Sequence, residues 1–217
     1  AETDLTQSNE AHLSSDAFSE QLNDLVINQD VNLLNDCDET GEGDNNANCV
    51  NDDIENNVGP TITQSLFIEA GTEASTATTD QKNLANIGQN LEGTNDCDES
   101  GDGDNLATCT TDLTNNIDSI TQSNLVGSIG GTDTETQSNF FGLTQNIVAL
   151  NDCDETGPND NTATCTITQT NNVGAISQTN TASSNSLTIN QNGQATNNCD
   201  NNDGVTCTIT LELIVPP

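Results

Sequence analysis

The sequence holds no arginine, tryptophan, tyrosine or methionine, and only one lysine (Lys82), one histidine (His12) and four phenylalanines. Without cations it has nothing to displace counterions from phosphates, which excludes a nucleic-acid partner. An anionic membrane surface is disfavoured for the same reason. No apolar run approaches the ~18 residues that span a bilayer. With so few large side chains, a conventional globular core is not expected. General bases and oxyanion donors are equally scarce, so the expectation is a non-enzyme without a small-molecule substrate. There is no Cys-x-x-Cys-His for haem. A lone His12 with widely spaced cysteines makes a poor zinc site.

What is abundant is negative charge: 35 acidic residues give a formal net charge of −34. Such a surface suits cations or a salty medium. High charge with low hydrophobicity usually means disorder, but eight cysteines and an internal repeat oppose that here. An even cysteine count favours disulfides and an oxidising compartment. The chain starts at Ala1, as a mature protein does after loss of a signal peptide. Secretion to the extracellular space or cell surface is the expectation.

The repeat is the strongest signal. Four related segments open at Leu5-Thr6-Gln7-Ser8-Asn9, Ile62-Thr63-Gln64-Ser65, Ile120-Thr121-Gln122-Ser123-Asn124 and Ile176-Ser177-Gln178-Thr179-Asn180. A second element follows at Ile27-Asn28-Gln29, Ile87-Gly88-Gln89, Leu143-Thr144-Gln145 and Ile189-Asn190-Gln191, each leading into a cysteine at Cys37, Cys97, Cys153 or Cys199. Upstream, Gln21, Gln81 and Gln137 (Ser183 in the last copy) precede Asn23, Asn83, Asn139 and Asn185. The copies run over about 5–61, 62–119, 120–175 and 176–217, one repeat domain spanning 1–217.

In a strand the Ile and Gln of Ile-x-Gln share one face while Thr and Ser take the other. Copies stacked in register would bury the apolar residues together and align the amides in ladders. The expected fold is all-β, a tandem-repeat β-solenoid or stacked β-arch with three or four short strands per copy. The last segment, Thr208 to Val215, is the most apolar. It either closes the chain's own core or is donated to a neighbour, the latter giving the alternative of a β-sandwich completed by a donated strand.

Three copies carry near-identical loops: Asp36-Cys37-Asp38-Glu39-Thr40-Gly41-Glu42-Gly43-Asp44, Asp96-Cys97-Asp98-Glu99-Ser100-Gly101-Asp102-Gly103-Asp104 and Asp152-Cys153-Asp154-Glu155-Thr156-Gly157-Pro158-Asn159-Asp160. A second cysteine follows each, at Cys49, Cys109 and Cys165, with Cys207 in the trimmed fourth loop. Pairing within each loop (Cys37–Cys49, Cys97–Cys109, Cys153–Cys165, Cys199–Cys207) is the simplest of 105 connectivities. The spacing of Asp36, Asp38 and Asp44, of Asp96, Asp98 and Asp104, and of Asp152, Asp154 and Asp160 clusters oxygen ligands about a glycine turn, as Ca²⁺ requires. The bland alternative is a solvated acidic turn that serves the disulfide. These loops resemble the aspartate-rich calcium loops of thrombospondin-type modules.

Ile176-Ser177-Gln178-Thr179-Asn180 and Ser186-Leu187-Thr188-Ile189-Asn190-Gln191-Asn192-Gly193 resemble the repeats of curlins, the subunits of curli-type fibres. That resemblance implies stacked β-arches with Gln178, Gln191 and their equivalents as internal ladder residues, and polymerisation outside the cell. The longer repeat, the cysteines and the acidic loops depart from curlins and favour an ordered, covalently stapled unit. The expected role is a structural subunit of an extracellular filament, pilus-like fibre or sheath whose partner is itself. The alternatives are a calcium-dependent surface adhesin or biofilm matrix protein, and a threonine-rich ice-binding solenoid, the latter disfavoured because the run Thr162, Thr164, Thr166, Thr168 and Thr170 occurs in one copy only.

Overall fold

The computed structural model describes residues 5–13, 17–59, 61–70, 76–126, 132–157, 161–180, 185–200 and 204–214. These residues alternate small polar or β-branched side chains with apolar or amide ones, a period of two that suits a pleated strand. They form eleven strands: β1 (Leu5–Leu13), β2 (Ala17–Asp36), β3 (Glu39–Gly41), β4 (Asn45–Val58), β5 (Ile62–Ala70), β6 (Thr76–Gly101), β7 (Asn105–Val126), β8 (Thr132–Thr156), β9 (Asn161–Asn180), β10 (Asn185–Asp200) and β11 (Gly204–Ile214). The fold is all-β, and no helix occurs among the described residues.

Two parallel sheets account for every strand. The first has the order β1-β5-β7-β9-β11, with β4 also paired to β7. The second has the order β10-β8-β6-β2, with β3 paired to β6. Each copy therefore sends one long strand through the second sheet and returns through the first, where it lies on the copy before. The register is copy on copy: Gln21↔Gln81↔Gln137, Ile27↔Ile87↔Leu143 and Cys97↔Cys153↔Cys199 in the second sheet, Ile62↔Ile120↔Ile176 and Cys49↔Cys109↔Cys165↔Cys207 in the first.

The count of three or four strands per copy agrees with the expectation, but the expectation that they are short is corrected. In the second sheet each copy contributes one strand of 20, 26, 25 or 16 residues. An inward-facing Gln or Asn does not end a strand here, because its amide finds a carbonyl inside. Residue alternation carries through unbroken: in β7, Ile120, Gln122 and Asn124 are fully buried, while Thr121 and Ser123 face outward and are half-buried.

Between the sheets the interior is layered, not mixed. One apolar layer gathers Leu25, Ala85, Ile87, Ile120, Phe141 and Leu143, and a second gathers Leu91, Leu113, Ile147 and Ile167. Amide ladders flank the first layer on both sides, and the one through Gln89 separates it from the second. Gln64 Nε2 donates to Gln7 Oε1 (2.8 Å), Gln122 Nε2 to Gln64 Oε1 (2.7 Å) and Gln178 Nε2 to Gln122 Oε1 (2.8 Å). A second ladder joins Gln29, Gln89, Gln145 and Gln191 at 3.2, 2.9 and 2.8 Å. Asn23, Asn83, Asn139 and Asn185 form a third, at 3.0, 2.9 and 3.2 Å. The same amides tie the sheets together, since Gln64 Nε2 also donates to Leu84 O and Gln122 Nε2 to Phe140 O, both at 2.9 Å. The amides of these three ladders are thus satisfied along and across the stack, which is what permits them to be buried.

One departure from register lies in β4. Between Asn51 and Ile54 the pairing with β7 slips by a residue, and Asp53 takes a positive φ of 55°. This β-bulge absorbs one of the two surplus residues between Cys49 and Ile62 and keeps the ladders aligned on either side.

Candidate functional site: the cysteine and aspartate columns

At one end of the coil, strand, acidic loop and returning strand form the turn between the sheets. Cys37 N donates to Asp96 O (2.8 Å), and Glu39–Gly41 pairs with Glu99–Gly101, so the loops stack in register like the strands they join. Glycines make that stacking possible. Gly43 has a φ of +109°, and a Cβ on Gly103 would collide with the backbone of Gly43. Gly43→Ala is expected to destabilise the fold by roughly 1–2 kcal/mol through its left-handed backbone alone. A urea midpoint unchanged from the parent would contradict this.

In β6 and β8 the cysteine points in and its flanking aspartates point out. Cys97, Cys109, Cys153 and Cys165 are fully buried beside Ala47, Ala107 and Ala163. Asp36, Asp96 and Asp152 form one outward column, with Asn198 at the fourth level; Asp98 and Asp154 form the next, beside Asp38. Two glutamates brace the turns. Glu39 Oε2 accepts from Asn46 N (3.1 Å), and the buried Glu99 Oε2 accepts from Leu106 N (2.9 Å). Asp44 Oδ1 accepts from Asp104 N (3.1 Å), linking the tips of two successive loops. Asp160 lies outside the described residues.

Carboxylates stacked one strand spacing apart repel one another. Partial burial, then Asp152, Asp36, Asp38 and Asp154, hold the Asp96 carboxyl above its ordinary range. Asp98 is raised in the same way by burial, then by Asp96, Asp154, Asp38 and Asp152. A shallow cavity of roughly 350 Å³ opens along this face, lined by Asp38, Thr40, Asp98, Glu99, Ser100 and Asp154. Among the described residues, the acidic residues of one loop are not gathered around a common point. Among the described residues, the one group of three or more such ligand atoms lying within 4.8 Å of each other is the thiol cluster of Cys97, Cys109 and Cys153.

The cysteines form two facing columns, Cys49, Cys109, Cys165 and Cys207 in the first sheet and Cys37, Cys97 and Cys153 at the matching levels of the second, where the backbone of residue 199 continues the register. Cys37 and Cys49 are bonded. Cys153 lies within bonding reach of both Cys165, on its own level, and Cys109, one level before it. Cys97 is a buried free thiol, its pKa pushed up to about 12, chiefly by burial. Cys207 is disulfide-bonded, and the side chain of Cys199 lies outside the described residues. Cysteines at disulfide distance fit an oxidising environment.

Sequence spacing pointed to the cysteines and aspartates but not to their columns. The repetition of Glu39 and Glu99 at one loop position was the available signal for the bracing carboxylates. No protein family, no curated protein and no solved structure matches this chain.

Proposed function

We propose that this chain is a non-enzymatic structural subunit of an extracellular filament or sheath, a single β-solenoid of four stacked arches that assembles head to tail with itself. The observation that carries the reading is that, among the described residues, both sheets end in unpaired strands at each end of the stack. At one end β1, β2 and β4 are edge strands, and at the other β10, β11 and the last residues of β9 are. Open parallel edges invite a further strand. The exposed face at the second end is made of core positions: Ile209, Leu211 and Leu213 occupy the columns of buried Ile167, Gln169 and Asn171, yet are 46%, 50% and 55% exposed.

A second copy would cover them and continue three amide columns, with its Gln7 on Gln178, its Gln29 on Gln191 and its Asn35 on Asn197. The likeness of these segments to curlin repeats supports the same geometry. The charge lies on the outward faces, where it keeps finished filaments apart without obstructing the ends.

Ca²⁺ belongs to this reading as a bridge between levels, shared by Asp36, Asp96 and Asp152 or by Asp38, Asp98 and Asp154, with water completing the oxygen shell. Asp44 and Asp104 sit at the linked tips, where a second bridge would form.

Negative-stain microscopy of the full chain tests the reading. Filaments are expected in buffer and should survive EDTA if the ladders carry assembly. Monodisperse monomers under all conditions, with or without Ca²⁺ and reductant, would overturn it.

A further inference from the structure

The outward face of the second sheet carries a groove that no ladder fills. Two neighbouring columns form it: Val26, Asn86, Gly142 and Thr188 in one, Asn28, Gly88, Thr144 and Asn190 in the other. The next column on the same face repeats its amide and zips. Asn90 Nδ2 donates to Asp30 Oδ1 (2.6 Å), Asn146 Nδ2 to Asn90 Oδ1 (2.8 Å) and Asn192 Nδ2 to Asn146 Oδ1 (2.9 Å). In the groove, glycines interrupt the repeat. The Asn28 amide lies against Gly88 and the Asn86 amide against Gly142, where an added Cβ would come 2.9 Å and 2.8 Å from their Oδ1 atoms. The Phe140 ring also borders Gly142, with Cε1 3.1 Å from the same point. The result is an open cavity of about 410 Å³ that reaches all four levels, from Asn28 to Thr188 and Asn190.

Three properties of the groove specify its occupant. First, its lining holds no charged group. From the second level on, neither do the columns that flank it, Leu84, Phe140 and Ser186 on one side and Asn90, Asn146 and Asn192 on the other. On a chain of net charge −34 this is a neutral window, and an anionic ligand would meet the surrounding field with no cation to receive it. Second, among the described residues, the amides of Asn28, Asn86 and Asn190 and the hydroxyls of Thr144 and Thr188 have no hydrogen-bond partner in the protein. Each can both donate and accept, as a sugar hydroxyl does. Third, Phe140 and the exposed Val26 offer aromatic and apolar surface to the C–H face of a sugar ring. A peptide strand is less well served, because the groove lies on a sheet face whose backbone groups are already paired, not at an edge. The volume falls within the ~300–1,000 Å³ of small-ligand sites. Four levels at about 4.8 Å each give it the length for a chain of rings.

We infer that this groove binds a neutral polysaccharide chain laid along the stack, its hydroxyls bonded to Asn28, Asn86 and Asn190 and a ring face set against Phe140. The inference does not rest on the polymer, because the groove lies within one chain.

The test is retention of the full chain on chitin, cellulose and mannan, with hyaluronate as the anionic comparison. Retention on at least one neutral polymer is expected, and none on hyaluronate. Asn86→Ala and Phe140→Ala should each weaken it roughly tenfold, as loss of one good contact does. Thr121→Ala, on the outward face of the other sheet, should leave it unchanged. Urea midpoints separate lost binding from lost folding; should Phe140→Ala unfold more readily, Asn86→Ala decides. No retention on any neutral polymer, equal retention on hyaluronate, or retention that Asn86→Ala does not weaken would each overturn the inference. None of these outcomes bears on the filament reading, which microscopy tests separately.

Discussion

Gln122→Ala is expected to be among the most damaging single substitutions in the chain, lowering stability by about 3 kcal/mol. The side chain is fully buried at the centre of its ladder. It donates to Gln64 Oε1 (2.7 Å) and to Phe140 O (2.9 Å), and accepts from Gln178 Nε2 (2.8 Å). Truncation removes all three bonds, opens a cavity and leaves neighbouring amide groups short of a partner. Each buried polar group so stripped costs about 1–3 kcal/mol, against a typical total stability of 5–15 kcal/mol. Thr121→Ala, one residue away on the outward face, should change stability by less than about 0.5 kcal/mol. Urea midpoints of the two variants give the comparison. Equal midpoints would mean that the ladders decorate the fold without holding it.

The second large effect expected is an inverted pH dependence. Asp96, Asp98 and Asp112 are all raised above the ordinary value of 3.8, in each case by burial first and then by other aspartates. A raised carboxyl binds its proton more tightly folded than unfolded. Between the unfolded and the folded pKa the native state therefore holds more protons, and stability falls as pH rises. The penalty is fully present above the folded values, and is relieved as pH drops through them towards 3.8. The melting temperature should climb as the pH is lowered from 7 towards 4, where ordinary proteins begin to lose stability. Salt should flatten the climb, because at 1 M the screening length is about 3 Å. Asp98→Asn should raise the melting temperature at pH 7 and reduce its slope. A melting temperature that declines steadily from pH 7 to pH 4 would show that the columns carry no such strain. Millimolar Ca²⁺ should stabilise more than Na⁺ at equal ionic strength if it bridges levels.

The repeat made the ladders legible before any coordinates. Ile-x-Gln spacing puts Ile120 and Gln122 on one face because a strand alternates, whatever it packs against. The identical distance from Gln29 to Cys37, Gln89 to Cys97 and Gln145 to Cys153 required equal register in each copy. Strand length was less legible, because an inward Gln resembles a break until its carbonyl partner on the other sheet is known. The bulge at Asn51–Ile54 was hidden too, as one surplus residue does not say where the chain accommodates it.

The acidic loops divide along the same line. Alternation of in and out, and hence cysteines inside with aspartates flanking them outside, was determined by local sequence alone, as were the all-β character and the recurrence of every chemical group. Tertiary structure decided which copies of those groups meet. Parallel stacking places Asp96 against Asp36 and Asp152, not against its own loop's Asp104, and brings Cys153 within reach of Cys109 as well as Cys165. The physical reason is distance. Neighbours along a strand two residues apart are about 6.6 Å from each other, whereas equivalent residues on adjacent strands are about 4.8 Å apart. In a stacked repeat the closest partner of a side chain is its own counterpart in the next copy, and the cysteine and aspartate chemistry runs along the stack.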